Sequence, residues 1–143
     1  MKKFNIPIFR LNFGFLSKLN FLKGSWDILS SNRPIGESKY VKEFEDKISR
    51  LSGYRYSIAC SNGTSAIGLA LKSIGVKNKK VIIPSNTFFA TSVAVTNAGG
   101  FIELVDMDPE SFSICPIDLE KKITEETGAV IIVHIGGIDR KST

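Results

Sequence analysis

Tyr56-Ser57-Ile58-Ala59-Cys60-Ser61-Asn62-Gly63-Thr64-Ser65-Ala66 is the stretch on which the fold of this chain turns. Its first part, Tyr56 to Cys60, is a short apolar run that predicts a buried strand. Its second part opens a helix: Ala66, Leu69, Ala70 and Ile74 recur at helical spacing, and Gly75 closes the run. A strand that passes through a tight turn into a helix presents unpaired N–H groups and a partial positive charge at the turn. Gly63 lets a ligand approach the backbone, and Thr64 and Ser65 add hydroxyl donors, so these three residues are candidates for holding a phosphate. The same residues also read as an ordinary capped turn with Ser61 or Asn62 as N-cap.

Working outward, Tyr40, Phe44, Ile48 and Leu51 recur at three- and four-residue spacing and predict a helix that Gly53 stops. Val81 to Ile83 predicts a strand ended by Pro84, which cannot continue a ladder. Phe88 to Ala98 predicts a helix stopped by Gly99-Gly100, and Phe101 to Val105 a further strand. Ile117 to Ile123 reads as a short helix opened by Asp118 or its neighbours, and Ala129 to His134 as the last strand. Four strands alternating with helices predict an α/β fold built on a largely parallel sheet. The strands are apolar throughout, so both sheet faces are expected to be covered.

Ligands of such sheets bind at the carboxyl ends of the strands. A second stretch of that kind is Pro84-Ser85-Asn86-Thr87-Phe88-Phe89-Ala90-Thr91, whose two aromatics either stack on a flat heterocycle or belong to the core. Other phosphate motifs fail on spacing. Gly63 and Gly68 supply G-x-x-x-x-G, but Leu69 and Ala70 stand where a nucleoside-triphosphate loop needs Lys and Ser/Thr. Gly-x-Gly-x-x-Gly and Gly-x-Ser-x-Gly are both absent, which argues against a dinucleotide fold and removes the hydrolase nucleophile elbow.

The 143 residues amount to about one domain, and 43% of them are hydrophobic. The longest apolar runs, such as Ala129 to Val133, fall far short of the roughly 20 residues a spanning helix needs, so no membrane span is expected. Cys60 and Cys115 lie far apart and have few ligating neighbours, so no metal site or disulfide framework is expected and a reducing, cytoplasmic setting fits. Residues 1–36 hold six Lys/Arg against the single acid Asp27, whereas residues 37–143 hold 13 basic and 13 acidic side chains. The net charge of +5 therefore lies wholly in a basic arm and lead-in segment, ahead of a neutral body at 37–143. From Met1 to about Gly24 this arm spaces lysines and Arg10 among Phe and Leu, and Asn12, Gly14, Ser17, Lys18 and Asn20 break any secretory stretch. No stripe of seven-residue regularity is expected in it. The arm reads as packing its apolar side on the rest of the protein or on a second subunit, in preference to a membrane surface or nucleic acid.

Taken together, Gly36-Glu37, Phe44-Glu45, Gly53, Ser61-Asn62-Gly63-Thr64-Ser65-Ala66, Val81-Ile82-Ile83-Pro84-Ser85-Asn86-Thr87-Phe88-Phe89-Ala90-Thr91, Val105-Asp106-Met107-Asp108, Ile123-Thr124 and Val133-His134 resemble the DegT/StrS family of pyridoxal-phosphate-dependent sugar aminotransferases. The resemblance implies the N-terminal part of the large domain of a type I aminotransferase fold, with pyridoxal 5'-phosphate as cofactor. It implies transfer of an amino group, usually from glutamate, to a keto sugar carried on a nucleotide, in a homodimer whose site a second subunit completes. Gly63, Thr64 and Ser65 match the family's phosphate-binding turn, and Phe88 matches its aromatic that stacks on the pyridine ring. Asp106 and Asp108 read as a strand-end acid and a turn rather than as acid/base or metal groups, and His134 as structural or site-lining.

The family continues to an aspartate that pairs with the ring nitrogen and a lysine that forms the Schiff base. Neither is expected within these 143 residues, and Lys141 lacks the family's surrounding pattern. The segment alone is therefore expected to be inactive, with no catalytic residue of its own. Two alternatives stand beside the aminotransferase: a dehydratase of the same family, with histidine in place of the lysine, and a binding-only module for a phosphate-bearing ligand.

Overall fold

The computed structural model describes residues 12–137. The chain divides into two compact units, Met1–Ala59 and Cys60–Thr143.

In the first unit, helix α1 spans Phe15–Leu29 and α2 spans Lys39–Ser52, joined through a 3-10 turn at Ile35–Glu37. Residues 1–11 of the basic arm lie outside the described residues, but from Phe15 onward the arm is helical, and this corrects the expectation that no stripe of seven-residue regularity runs through it. A seven-residue stripe does run through it. Phe15, Leu19, Leu22, Trp26 and Leu29 follow one another at alternating spacings of four and three, a regularity that a segment ending at Gly24 cuts short. Nor is the stripe packed away, since Phe15 is 75% exposed and Trp26 73%.

What holds α1 to α2 is polar. The Tyr40 hydroxyl donates to Asp27 Oδ2 at 2.8 Å and Lys39 Nζ donates to the same oxygen at 3.2 Å. The Tyr40 bond first, then the Lys39 bond, holds the Asp27 carboxyl below its ordinary range. Helix α2 ends at Gly53 as expected, in the left-handed conformation (φ 76°) that only glycine adopts without strain, with its N–H on Ser49 O at 3.0 Å.

Tyr56 to Cys60 does not form the expected strand. No neighbouring strand pairs with it among the described residues, so Tyr56 and Ile58 are exposed and its polar groups turn to side chains. The Ala59 N–H donates to Glu45 Oε1 at 2.8 Å, and the Ser57 and Ser49 hydroxyls meet at 3.0 Å.

The second unit holds α3 (Gly63–Ser73), β1 (Lys80–Pro84), α4 (Phe89–Asn97), β2 (Phe101–Val105), α5 (Pro116–Lys122) and β3 (Thr127–Val130). Its sheet has three strands in the order β2-β1-β3, and both pairings are parallel. The α/β class and the parallel sheet therefore stand, with three strands among the described residues instead of four. The last strand begins and ends earlier than expected, because the β1 ladder starts with Lys80 N–H on Glu126 O at 3.0 Å and sets Thr127 beside Lys80. Its last bond runs from Ile131 N–H to Ile82 O at 2.9 Å.

Central strand β1 separates two apolar layers. Val81 and Ile83 face Leu71 of α3 and Ala94, Val95 and Ala98 at α4, while Ile82 faces Val105, Ile114, Leu119 and Val130. Among the described residues β2 lies at an edge of the sheet, and the expectation of two covered faces fails on it: Phe101 and Leu104 are exposed. Gly100 lets β2 start beside the core, since a Cβ there would stand 3.0 Å from Val81 Cγ2 and 3.2 Å from Val95 Cγ1. Among the described residues, no helix is long and apolar enough to cross a membrane.

Helix α5 opens with Pro116, two residues ahead of Asp118, and Cys115 is its N-cap. Asp118 instead ties the helix to β2: its Oδ2 accepts from the Asp106 N–H at 2.8 Å and pairs with Lys122 Nζ at 2.9 Å. Lys122 in turn donates to Leu104 O at 2.7 Å. The Asp106 N–H first, and Lys122 second, hold the Asp118 carboxyl below its ordinary value of 3.8. A carboxyl lowered by folding stabilises the protein above its unfolded pKa, and the contribution is lost as pH falls through the lower folded value. Asp118→Asn should therefore lower the urea midpoint at neutral pH, with the gap to wild type closing in strong acid. A gap that persisted at the acid end would assign the loss to something other than the carboxylate charge.

Candidate functional site

Helix α3 begins at the turn singled out by sequence. Asn62 is its N-cap, in extended conformation, and its side-chain oxygen accepts from Ser65 N–H at 2.9 Å. The Asn62 amide donates to Ser61 Oγ at 3.2 Å, and Ser61 Oγ lies 3.3 Å from Ser65 Oγ. The Ala66 N–H already reaches Asn62 O at 3.1 Å. Helix geometry leaves the amides of Gly63 and Thr64 without an intrahelical acceptor. No acidic residue stands in the first turn to oppose the helix dipole. A Cβ placed on Gly63 would meet nothing within 4 Å, so the space that its missing side chain leaves is open to a ligand.

The second stretch also lands at a helix start. Phe88 is the N-cap residue of α4, following the β1 strand end and the turn at Ser85 to Thr87. Ser85 N–H donates to Val105 O at 2.8 Å, and the Thr87 and Thr91 hydroxyls meet at 2.8 Å, which fixes the turn on both sides. Phe88 is 69% exposed and Phe89 68%, with ring centroids 4.4 Å apart and planes tilted by 50°. Neither ring belongs to the apolar core of the described residues; both are presented at the carboxyl end of β1.

Helices α3 and α4 pack against each other, with Gly68 facing Ala94 O across the contact. A groove of about 250 Å³ is lined by Thr64, Ser65, Gly68, Lys72, Ala94 and Asn97, among others. Gly63, Thr64 and Ser65 thus share one turn, and Phe88 opens the neighbouring helix without lining that groove. Asp108 is a turn former: its Oδ1 accepts from the Glu110 and Ser111 N–H groups at 2.9 and 3.0 Å. Asp106 follows the end of β2, and His134 precedes the short 3-10 turn Ile135–Gly137. Among the described residues no group of three His, Cys, Asp or Glu side chains could hold a metal ion.

Both halves of this arrangement lie inside one family match. The DegT/DnrJ/EryC1/StrS aminotransferase family matches residues 20–139. The chain belongs to that family. It is 39% identical over 100 residues to the GDP-perosamine synthase of Caulobacter vibrioides, an alignment covering 69% of this chain and 27% of that protein. It is 41% identical over 99 residues to a pleiotropic regulatory protein of Geobacillus stearothermophilus, covering 68% of this chain and 27% of that one. Among solved structures, Spr1654 of Streptococcus pneumoniae, assigned as a sugar aminotransferase and determined in its PLP form, superposes with a TM-score of 0.83 at 25% identity. That match covers 96% of this chain and 34% of the Spr1654 chain. The chain therefore spans about three-tenths of the length of the family members it matches.

Of the two N-cap candidates that the sequence offers, Ser61 and Asn62, it is Asn62 that caps α3. Replacing it with Ala should destabilise α3 by about 0.5–2 kcal/mol, read as a lower urea midpoint, while Asn62→Asp should recover most of the loss. Equal losses in the two variants would show that the Ser65 N–H bond is not what the side chain contributes.

Proposed function

We propose that this chain supplies the phosphate-holding and ring-holding part of a pyridoxal-phosphate-dependent sugar aminotransferase. The observation that carries the reading is the α3 N-terminal turn. It has two amides without intrahelical acceptors, hydroxyls on Thr64 and Ser65, open space at Gly63 and no acid in its first turn. This turn lies in the same compact unit as a helix that begins with an exposed aromatic, Phe88.

In this reading Gly63, Thr64 and Ser65 hold the cofactor phosphate and Phe88 offers its face to the pyridine ring. The cofactor, when bound, supplies an electron sink for amino transfer, and the protein supplies orientation and electrostatics. The residues assigned here bind and orient; none is assigned a proton transfer. The substrate class is a keto sugar carried on a nucleotide, with glutamate or a similar amine as donor, in a cytoplasmic homodimer. GDP-perosamine synthase and the other sugar aminotransferases among the relatives support that class. Residues 37–143 form the corresponding part of the cofactor-binding large domain.

The test is a titration with pyridoxal phosphate of apo protein in which this segment is joined to the rest of the family's length. Thr64→Val and Phe88→Ala should each weaken binding by about 1–3 kcal/mol, for a lost bond to a charged phosphate or a lost stacking face. If affinity is unchanged in both, with circular dichroism intact, these residues are structural. Competition by inorganic phosphate alone, with no preference for the pyridine ring, would favour the binding-only module.

A separate expectation concerns the 143-residue chain by itself. Incubated with pyridoxal phosphate and borohydride, it should carry no stoichiometric lysine adduct by intact mass. One specifically modified lysine would assign a reactive amine to this segment.

A further inference from the structure

We propose that the start of α2 is an anion site in its own right, built to take a phosphate group. It shares no residue with the turn assigned to the cofactor, so its failure would leave that reading untouched.

Within the first compact unit, a pocket of about 450 Å³ lies where α1 ends and α2 begins, and Trp26, Asp27, Arg33, Ser38, Lys39 and Tyr40 are among its lining. That is an ordinary size for a small-molecule site. Helix α2 runs for 14 residues, so its first turn carries the full partial positive charge of a helix start, and no acidic residue stands there to oppose it. The Val41 and Lys42 N–H groups donate to Ser38 O at 3.1 and 3.5 Å. Helix geometry leaves the amides of Lys39 and Tyr40 without an intrahelical acceptor. What makes this helix start a site is Ser38. It is the N-cap residue, in the extended conformation from which a serine hydroxyl ordinarily accepts a first-turn amide, yet its side chain makes no such bond. Only 8% of the residue is exposed, and among the described residues its hydroxyl has no hydrogen-bond partner. A hydroxyl so buried is costly to leave unpaired, and an oxygen of a phosphate in the pocket that Ser38 lines would accept from it.

The charges in the pocket select the ligand. Arg33 lines it, forms no ion pair among the described residues, and carries a planar fork of donors that matches two oxygens of one phosphate. Asp27 brings one negative charge, but that charge is already matched: its Oδ2 accepts from the Tyr40 hydroxyl and from Lys39 Nζ, and these bonds, in that order, hold its carboxyl below the ordinary range. The Arg33 charge is thus left for a ligand. A neutral ligand would leave it unmatched and a cation would be repelled by it, whereas an oxyanion satisfies Arg33, the Ser38 hydroxyl and the two amides together. Free inorganic phosphate and the diphosphate of a nucleotide share this chemistry. Trp26 separates them, because its indole, 73% exposed at the same pocket, offers a ring face to a base and nothing comparable to a bare anion.

Trp26 is the one tryptophan of the chain, so its fluorescence reports on this pocket. Titration of the 143-residue chain with inorganic pyrophosphate at fixed ionic strength should change Trp26 emission saturably. Arg33→Ala and Ser38→Ala should each raise the dissociation constant about tenfold, the loss of one hydrogen bond to a charged group, with circular dichroism retained. Ser38→Ala should also leave the urea midpoint where it is, because the hydroxyl does not cap α2. Thr64→Val should leave the titration unchanged. Uridine diphosphate is the second probe: binding about tenfold tighter than pyrophosphate supports the site with a nucleotide as its ligand, and equal affinity supports it with a free anion. Three results would overturn the proposal. They are no saturable change with either probe, a titration lost in Thr64→Val but kept in Arg33→Ala, and a Ser38→Ala variant with a lower urea midpoint and intact binding, which would return the hydroxyl to capping the helix.

Discussion

Everything placed in the second unit depends on the burial of β1 between two parallel neighbours. Val81, Ile82 and Ile83 are wholly inaccessible to solvent; all three pair with β2, and Val81 and Ile82 pair with β3 on the other side. Alternation along the strand sends Val81 and Ile83 into the layer made by α3 and α4, and Ile82 into the layer beneath α5. A single strand thus fixes the depth of both helical layers. Where it ends, at Pro84, the chain is delivered to the turn that presents Phe88. Shifting β1 by one residue would exchange the two layers, so the register is specified by apolar burial on both faces.

The sequence was most legible where burial is two-sided. Strand β1 and helices α3 and α4 follow from apolar runs and helical spacing, because those residues have partners close by in the chain. Reading failed where a segment's fate rests on a neighbour that local spacing does not reveal. Tyr56 to Cys60 has the composition of a strand, but a strand needs a ladder partner, and here the chain meets Glu45 and Ser49 side chains instead. The α1 stripe was hidden for a different reason. Gly24 looks like a breaker, yet it sits where α1 passes Tyr40, and a small residue there permits the approach while the helix continues to Leu29.

Of the candidate site, the turn residues and Phe88 were legible because each follows an apolar segment and opens a periodic one. Asp118 was read only as a helix-opening residue. Its carboxylate serves Asp106, twelve residues earlier, and that pairing exists only once α5 has folded back on the end of β2. Motif spacing therefore located two helix starts at the ends of apolar segments, while the polar ties that hold them in place needed the three-dimensional structure.

The α3 turn also explains why an amide caps this helix. Asparagine and aspartate cap with similar strength, but an aspartate at position 62 would set a negative charge beside the amides of Gly63 and Thr64. Asn62 orders the turn through Ser65 N–H and adds no charge, so the partial positive end of α3 stays unopposed. The cap takes one of the first-turn donors and leaves the two that precede it in the chain. Stability of the helix and attraction for an anion are thereby assigned to different amides of the same turn, and a residue that served the first with a carboxylate would weaken the second.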